Sequence, residues 1–308
     1  MPDAGATPFT VGISEPVNTV LAIWVAKEAA FAAAQGLALD IANMSGGSRG
    51  AAALAAGRID AMHVGLSSVV RLNRAGADLR IVAALANVIR FTFFSAPGVR
   101  SAADLKGGAV GVSTFGSESD ATVTLALRRI GLSRNDVTLT ECGGSSERLA
   151  ALKAGTIKAT ALNEPAASLA REQGLNVLID LVPDRIPWLF TGIAVRRKAI
   201  AERRDLLVRF LKAVAEGNAL ARSDPVRAKT VLARAAAIDN PKIVDIAYED
   251  FRALSPPDIE PAEPAAANVL SQFPADVSHD PVDYIDTSIL AELRKGGLFS
   301  ALHKKYGR

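Results

Sequence analysis

Short apolar runs alternate along the chain with longer stretches whose apolar residues recur every three or four positions. The runs VGIS, LALDIAN and DAMHVG lie between residues 11 and 65, and VGVS, VTLTEC and ATALNE lie between residues 110 and 164. Short apolar runs predict buried strands, and the three-to-four-residue period predicts amphipathic helices, the first over about 18–35 and another over about 117–130. Strand and helix therefore alternate, which predicts parallel βαβ units.

The two halves of this pattern repeat one another. Residues 46–61, GGSRGAAALAAGRIDA, align without a gap to residues 144–159, GSSERLAALKAGTIKA, with nine of 16 positions identical. Upstream, VGIS at 11–14 matches VGVS at 110–113 at nearly the same offset. An internal repeat of this kind predicts one α/β module present twice.

Pairs of apolar runs with no helix between them bracket the second copy, and they predict a two-stranded hinge. We expect an α/β fold of two similar lobes with mixed, mainly parallel sheets. Lobe 1 holds residues 9–89 plus 195–308, and lobe 2 holds residues 92–190, with hinge strands near 87–94 and 188–195. The helical C-terminal third is expected to pack against lobe 1.

Composition narrows the function. With 49% apolar and 22% charged residues the chain is globular rather than disordered, and no apolar stretch reaches the ~18–20 residues of a membrane helix. A net charge of +3 without a basic tract argues against a nucleic-acid partner. The single Cys142 and three dispersed histidines give few ligands for a metal, and we expect neither a metal nor a cofactor.

Four segments in order, VGIS, SGGSRGAAALAAGRIDA, RSAADLKGGAVGVSTFGSES and SSERLAALKAGTIKATALNEP, resemble the substrate-binding proteins of ABC importers in the NMT1/THI5-like group. That group includes the aliphatic sulfonate, taurine (SsuA/TauA-type), nitrate and pyrimidine-precursor binding proteins. Residues 101–107 and Asn163-Glu164-Pro165 carry most of the resemblance. It implies a type II periplasmic binding protein that closes two lobes on a small molecule and docks on a permease.

The resemblance implies a function without chemistry of its own. The expected protein is a monomeric, periplasmic solute-binding component of an ABC importer, with the signal peptide absent from this chain. Its expected solute is a small organic anion or zwitterion, either an aryl or alkyl carboxylate or sulfonate, or an aminopyrimidine. Its expected partners are that small-molecule ligand and the transmembrane subunits of an ABC permease.

The loops that follow the predicted strands are the expected binding site, because ligands of parallel α/β sheets collect at the carboxyl ends of the strands. Helix N-termini in these loops favour an oxyanion, although Ser and Gly at such positions also serve as helix caps. The predicted ligand-binding residues are Ser14, Glu15, Ser45, Gly46, Gly47, Ser48, Ser67, Ser68, Asn87, Arg90, Thr114, Phe115, Gly116, Ser117, Ser119, Asn163, Glu164 and Trp188.

Two arginines are candidate counterions, Arg90 in a predicted hinge strand and Arg49 beside the first glycine-rich loop. A guanidinium can bind an oxyanion through two hydrogen bonds, and a surface or interlobe salt bridge is the alternative for Arg90. Phe115 and Trp188 are the candidates for stacking on a ring; for Trp188 the alternative is burial in the core.

Three acids in the same loops, Glu15, Glu118 and Glu164, would repel a purely anionic ligand. Either these acids are paired elsewhere, or the ligand has a cationic or donor-rich end; for Glu164 a purely structural turn before Pro165 is also open. We interpret His63, inside the strand DAMHVG, as a satisfied core histidine.

One enzymatic alternative comes from Gly46-Gly47-Ser48-Arg49-Gly50, which matches the G-x-S-x-G motif of serine esterases. In that hypothesis Ser48 is the nucleophile and His279 the base. Only two strands precede the serine and no oxyanion motif is present, so we prefer the binding protein. A stand-alone ligand sensor with the same two-lobed fold is the third hypothesis.

Overall fold

Ten strands form two five-stranded sheets over residues 5–307, the part of the chain that the computed structural model describes. The strands are β1 (Thr7–Ile13), β2 (Leu37–Asn43), β3 (Ala61–Val64), β4 (Leu79–Val88), β5 (Thr92–Ser95), β6 (Ala109–Val112), β7 (Thr138–Glu141), β8 (Ala159–Leu162), β9 (Asn176–Asp180) and β10 (Pro187–Arg196). The first sheet has the order β2-β1-β3-β10-β4, and the second has the order β7-β6-β8-β5-β9.

Helices flank both sheets. Within the described residues they are α1 (Leu21–Glu28), α2 (Phe31–Ala34), α3 (Gly47–Ala55), α4 (Leu66–Arg74), α5 (Ala102–Leu105), α6 (Glu118–Arg129), α7 (Ser145–Lys153), α8 (Ala166–Glu172), α9 (Arg197–Glu202), α10 (Arg204–Ser223), α11 (Pro225–Ala235), α12 (Pro241–Leu254), α13 (Glu263–Leu270), α14 (Ser288–Lys295) and α15 (Leu298–Tyr306). No helix in this range is long and apolar enough to span a membrane.

The two sheets have equivalent strand orders. β1 pairs in parallel with β2 and β3, and β6 pairs in parallel with β7 and β8. The fourth strand of each sheet, β10 or β5, is antiparallel to both of its neighbours. The expected fold class of two similar lobes with mixed, mainly parallel sheets is confirmed, and the equivalence agrees with one module present twice.

The chain passes between the sheets twice. It leaves the first sheet between β4 and β5, at residues 89–91, and returns between β9 and β10, at residues 181–186. The first crossing leads into β5 and the second into β10, and each of these strands is the antiparallel strand of its sheet. β10 pairs with β4 from Pro187 onward, so residues 187–190 belong to the first sheet rather than to lobe 2. The hinge action of these crossings stays a prediction.

The helix predicted over 18–35 is interrupted in the structure. A 3-10 turn, Asn18–Val20, precedes α1, and Ala30 with a φ of 60° separates α1 from α2. A residue in the left-handed region cannot continue a right-handed helix, so the apolar period continues while the helix does not.

The core of lobe 1 depends on close packing between α1 and α10. The rings of Phe9, on β1, and Phe210, on α10, stack with centroids 4.4 Å apart. Gly217 brings the two helices together: a Cβ there would meet the carbonyl oxygen of Ala22 and would lie 2.8 Å from the backbone nitrogen of Ala26. Both obstacles are backbone atoms, which cannot move aside as a flexible side chain could.

We predict that Gly217→Ala destabilises the protein by about 1–3 kcal/mol, because the added methyl group forces α1 away from α10. Inside a helix, replacing glycine by alanine usually has the opposite effect and increases the free energy of unfolding by about 0.5–1 kcal/mol. Urea denaturation measures the difference. Gly5→Ala, whose Cβ meets nothing within 4 Å, is the control; a stabilised Gly217→Ala protein would contradict the close packing.

Candidate functional site

A cavity of about 40 Å³ lies between the two sheets, where the carboxyl ends of β1, β3, β6 and β8 face one another. This is the position at which parallel α/β sheets collect ligands. Its lining consists of Ser14, Glu15, Val17, Gly47, His63, Gly65, Ser68, Phe91, Ser113, Ser117, Glu118, Ser119, Asn163, Phe190 and Thr191. We call this the central cavity.

The central cavity brings together part of the predicted ligand-binding set. Seven of those residues line it, and they are Ser14, Glu15, Gly47, Ser68, Ser117, Ser119 and Asn163. Two of them, Ser117 and Ser119, share a hydroxyl network with Ser113, which was not predicted: Ser117 Oγ lies 3.0 Å from Ser119 Oγ, and the Ser113 hydroxyl donates to Ser117 Oγ at 2.8 Å. The helix-capping alternative also applies, since Ser117 is the N-cap of α6.

Other predicted residues lie where the lobes touch beside the cavity. The Ser48 hydroxyl donates to the carbonyl oxygen of Phe115 at 2.9 Å, and a Cβ on Gly46 would lie 2.8 Å from the Thr114 side chain. Two further members of these loops, Ser45 and Gly116, have positive φ angles of 51° and 78°. These residues do not line the central cavity, unlike Gly47, Ser117 and Ser119 of the same loops.

Four predicted residues have structural partners elsewhere. The Asn87 side chain bonds the carbonyl oxygen of Glu260 and the N–H of Ala262, so it fixes a loop of lobe 1. Arg90 forms an ion pair with Asp250 of α12, as the salt-bridge alternative expected. Neither residue lines the central cavity.

Trp188 and Glu164 also do not line the central cavity. Trp188 is buried, and its indole N–H donates to Glu118 at 2.6 Å, so it holds a carboxylate rather than stacking on a ring. Glu164 bonds Arg171 and accepts from the N–H of Ser168. Both belong to the packing around the site.

Sequence reasoning missed several residues of the lining, among them His63, Phe91, Phe190 and Thr191. The two phenylalanines lie in the crossing before β5 and in β10, and their rings pack edge to face with centroids 5.0 Å apart. A usable signal existed for His63, since it lies near the carboxyl end of β3, beside a predicted loop.

His63 is buried but is only partly satisfied, so its interpretation as a satisfied core histidine was wrong. Its Nε2 lies 3.0 Å from Thr19 Oγ1, whereas its Nδ1 has no partner in the protein. Burial lowers the pKa of His63 to about 4, so the ring is neutral at physiological pH. The hydroxyls of Ser68 and Thr191 also lack partners, and these three groups line the same cavity.

Two carboxylates cross from one lobe to the helix N-terminus of the other. Glu118, the first residue of α6, accepts from the N–H of Ser67 in the first turn of α4 at 2.7 Å. Glu15, after β1, accepts from the N–H of Ser145, the first residue of α7. Unpaired N–H groups and the helix dipole make these ends favourable for negative charge.

The charges of the two crossing acids are compensated differently. Glu15 lies 4.0 Å from the guanidinium of Arg148, which is fully buried behind the cavity wall. Glu118 has no ion pair within the described residues, and burial raises its pKa to about 7 despite its bonds to Trp188 and Ser67. Gly65 makes room for it, because a Cβ there would overlap the Glu118 side chain.

The lining contains no lysine or arginine. Arg90 is engaged by Asp250, and Arg49 is exposed and donates to the carbonyl oxygen of Ser45. The counterions expected for an anionic ligand therefore lie outside the central cavity. The site offers carboxyl groups, hydroxyls, an imidazole nitrogen, an amide and two aromatic rings.

The arrangement does not support the esterase hypothesis. The Ser48 hydroxyl donates to a backbone carbonyl, so no base activates it. His279, the base in that hypothesis, is exposed and has its ring Nε2 3.2 Å from the carbonyl oxygen of Phe273. A serine nucleophile requires a base within hydrogen-bond reach.

The two lobes, the paired crossings and a polar cavity between the sheets define a class, the two-lobed solute-binding proteins of the type II periplasmic binding protein fold. The family model described as NMT1/THI5 like matches residues 18–228, and the chain belongs to that family. Two of the structural neighbours below, SsuA and NrtA, are described as binding proteins.

Solved structures share this fold. The chain is 20% identical to a protein from Bordetella bronchiseptica RB50, covering 99% of both chains with a TM-score of 0.82. It is 23% identical to the periplasmic aliphatic sulphonate binding protein SsuA from Escherichia coli, covering 86% of this chain and 90% of SsuA with a TM-score of 0.67. It is 12% identical to the periplasmic nitrate-binding protein NrtA from Synechocystis PCC 6803, covering 94% and 89% with a TM-score of 0.79.

One curated relative matches over part of its length. The chain is 29% identical over 164 residues to the riboflavin-binding protein RibY from Chloroflexus aurantiacus, covering 52% of this chain and 46% of RibY. The match therefore spans about half the length of that relative.

We predict opposite pH dependences of stability from Glu118 and His63. Between about pH 4.5 and 7 the folded state binds more protons at Glu118 than the unfolded state does, so this residue makes stability fall as pH rises. Between about pH 4 and 6.5 the unfolded state binds more protons at His63, so this residue makes stability rise with pH. Each of these two pKa shifts changes the free energy of unfolding by about 3 kcal/mol at most.

Urea denaturation of wild type, Glu118→Gln and His63→Gln across this pH range tests the two effects. The stability of the wild-type protein should be nearly constant near pH 5–6, because the two effects oppose each other. Glu118→Gln should gain stability as pH rises, and His63→Gln should lose it. The exposed pair Glu249→Gln and His279→Gln supplies controls; equal slopes in all five proteins would refute the assignment.

Proposed function

We propose that the protein is the solute-binding component of an ABC importer and that its solute is a small nitrogen heterocycle with N–H donors, of the aminopyrimidine class. The family and the fold support the transport role. The composition of the central cavity supports the choice among the solute classes that the sequence left open. In this proposal the protein acts in the periplasm as a monomer and delivers the solute to a permease.

The proposed ligand class rests on one observation: the lining of the central cavity combines hydrogen-bond acceptors and aromatic rings but has no cationic side chain. A carboxylate or sulfonate needs charge-assisted donors from arginine, lysine or free helix N-termini. Here the lining has no arginine or lysine, and Glu118 and Glu15 already take the N–H groups of two helix N-termini. An anionic solute would have to displace these acids.

An aminopyrimidine matches the same groups. A carboxyl group with a pKa near 7, as in Glu118, can donate to a ring nitrogen when protonated and accept from the amino group beside it. His63 Nδ1 and the hydroxyls of Ser68 and Thr191 supply further hydrogen-bonding groups that lack protein partners. Phe91 and Phe190 supply apolar surface for a flat ring.

The curated relative is consistent with this class. RibY is described as a riboflavin-binding protein, and riboflavin is a flat nitrogen heterocycle. SsuA and NrtA are described as binding proteins for a sulphonate and for nitrate, but their identities to this chain are low and support the shared fold only.

Solute capture requires the lobes to separate. One water molecule needs about 10–15 Å³ of cavity space, so the 40 Å³ of the central cavity holds a few waters and no six-membered ring. The structure is thus a closed arrangement in which the lobes contact each other directly. A solute would stabilise closure by interacting more favourably with the closed state than with the open state.

Isothermal titration calorimetry with 4-aminopyrimidine, 4-amino-2-methylpyrimidine, riboflavin, taurine, alkanesulfonates, benzoate and nitrate tests the ligand class. We expect saturable binding by an aminopyrimidine and about tenfold weaker binding in Thr191→Val, which loses one hydrogen bond to the solute. Thr230→Val, on the exposed side of α11, is the matched control and should bind as wild type does.

Tight binding of a sulfonate, carboxylate or nitrate with none of an aminopyrimidine would overturn the ligand class and leave the transport role standing. Failure of every compound in the panel, with no small molecule co-purifying by mass spectrometry, would count against the binding function itself.

A further inference from the structure

A second cavity, of about 380 Å³, lies on the other side of Glu118 along the seam between the lobes. We call it the seam groove. Its walls come from α4 of lobe 1, from α6 and the following residues of lobe 2, and from the segment after α13. Three arginines line it, Arg71 from lobe 1 and Arg128 and Arg134 from lobe 2, and its lining includes no acid.

Two of these guanidinium groups have no carboxylate partner within the described residues. Arg134 pairs with the buried carboxylate of Asp120. Arg128 makes one long bond of 3.4 Å to the side-chain oxygen of Gln272, and the Arg71 guanidinium carbon lies 5.6 Å from the centre of the Phe273 ring. The groove therefore carries positive charge that the protein itself does not balance.

Glu118 lies across the seam from Arg71 and forms no ion pair with it within the described residues; burial raises the pKa of Glu118, and the charge of Arg71 lowers it only in part. Both of its carboxylate oxygens accept hydrogen bonds, one from the N–H of Ser67 and one from the indole of Trp188. Glu118 faces the central cavity, and the arginines face the groove.

A buried hydroxyl at the base of the groove gives an independent indication of a ligand. Ser67 lines the groove and is only 2% exposed, and its Oγ forms no hydrogen bond of ordinary geometry, although it is close enough to the Glu118 carboxyl to oppose in part the rise in pKa that burial causes there. Buried polar atoms are normally paired, because an unpaired one loses the hydrogen bonds that water would provide. A groove ligand with acceptor oxygens would satisfy this hydroxyl and the arginines together.

Closure itself creates the need for a counter-charge. When the lobes meet, Arg71 of lobe 1 lines the same groove as Arg128 and Arg134 of lobe 2, and like charges that approach each other raise the free energy of the closed state, by an amount that solvent reduces because all three side chains are exposed. An anion bound between these arginines makes the electrostatic contribution to the closed state favourable instead of unfavourable. Such an anion binds the closed state better than the open state, which is the requirement for a ligand that shifts the equilibrium.

We propose that the seam groove binds a small inorganic oxyanion, phosphate or sulfate, and that this anion stabilises the closed arrangement of the lobes. The planar guanidinium groups of Arg71 and Arg128 suit a tetrahedral oxyanion, and Arg134, which is paired with Asp120, adds positive charge beside them. The site is separate from the solute site and does not depend on which solute the central cavity takes.

Titration of the protein with inorganic phosphate, without any solute, tests the site. Calorimetry should show saturable 1:1 binding that weakens with added sodium chloride. Arg71→Gln and Arg128→Gln should each weaken it about tenfold or more, since each removes charge-assisted bonds. Arg58→Gln, an exposed arginine outside both cavities, removes the same charge and should bind phosphate as wild type does.

Small-angle X-ray scattering provides the second readout. Phosphate should reduce the radius of gyration of wild type and leave that of Arg71→Gln unchanged, if the anion ties the lobes together. Ser68→Ala, in the central cavity, should retain phosphate binding. Loss of binding in Ser68→Ala with retention in Arg71→Gln would place the anion in the central cavity, and equal weakening in Arg58→Gln would indicate nonspecific attraction; either result overturns the proposal.

Discussion

The closed arrangement depends on two carboxylates that each cross the seam to a helix N-terminus of the opposite lobe. Glu118 of lobe 2 accepts from the first turn of α4, and Glu15 of lobe 1 accepts from the first residue of α7. Hydrogen bonds to a charged group are worth about 1.5–3 kcal/mol each, and for Glu118 the desolvation that raises its pKa to about 7 offsets part of this gain. The helix ends that glycine- and serine-rich loops create for an anion are thus filled by side chains of the protein itself.

The sequence predicted the parts of this site that are set by local pattern. The repeated segments at 46–61 and 144–159 led to equivalent sheets, and the carboxyl ends of their strands do meet at one cavity. The pairing of Arg90 depends on Asp250, 160 residues away along the chain, and no local pattern encodes such a partner. The partners of Asn87 are equally distant in sequence, since they come from residues 260 and 262.

The pattern of apolar and polar residues within a strand was also insufficient to predict which side chains line the cavity. In a strand buried on both faces, apolar and polar positions do not reveal which side chains reach the carboxyl end and face the other lobe. His63 lies in such a strand, with every residue of β3 buried, and its sequence context predicts a core residue although it lines the cavity. Phe91 and Phe190 belong to the crossing and to the antiparallel strand, elements whose position relative to the cavity is fixed only by the second lobe.

Glu118 separates two environments of opposite character. On one side is a cavity lined by acids, hydroxyls and aromatic rings, and on the other is a groove lined by three arginines. Ser67 links them, because its N–H is held by Glu118 while the residue itself lines the groove. A solute that draws the Glu118 carboxyl toward itself would release this N–H, and the N-terminus of α4 would then have a free donor beside the arginines. Occupancy of the proposed solute site and of the proposed anion site would in this way be coupled through one backbone group.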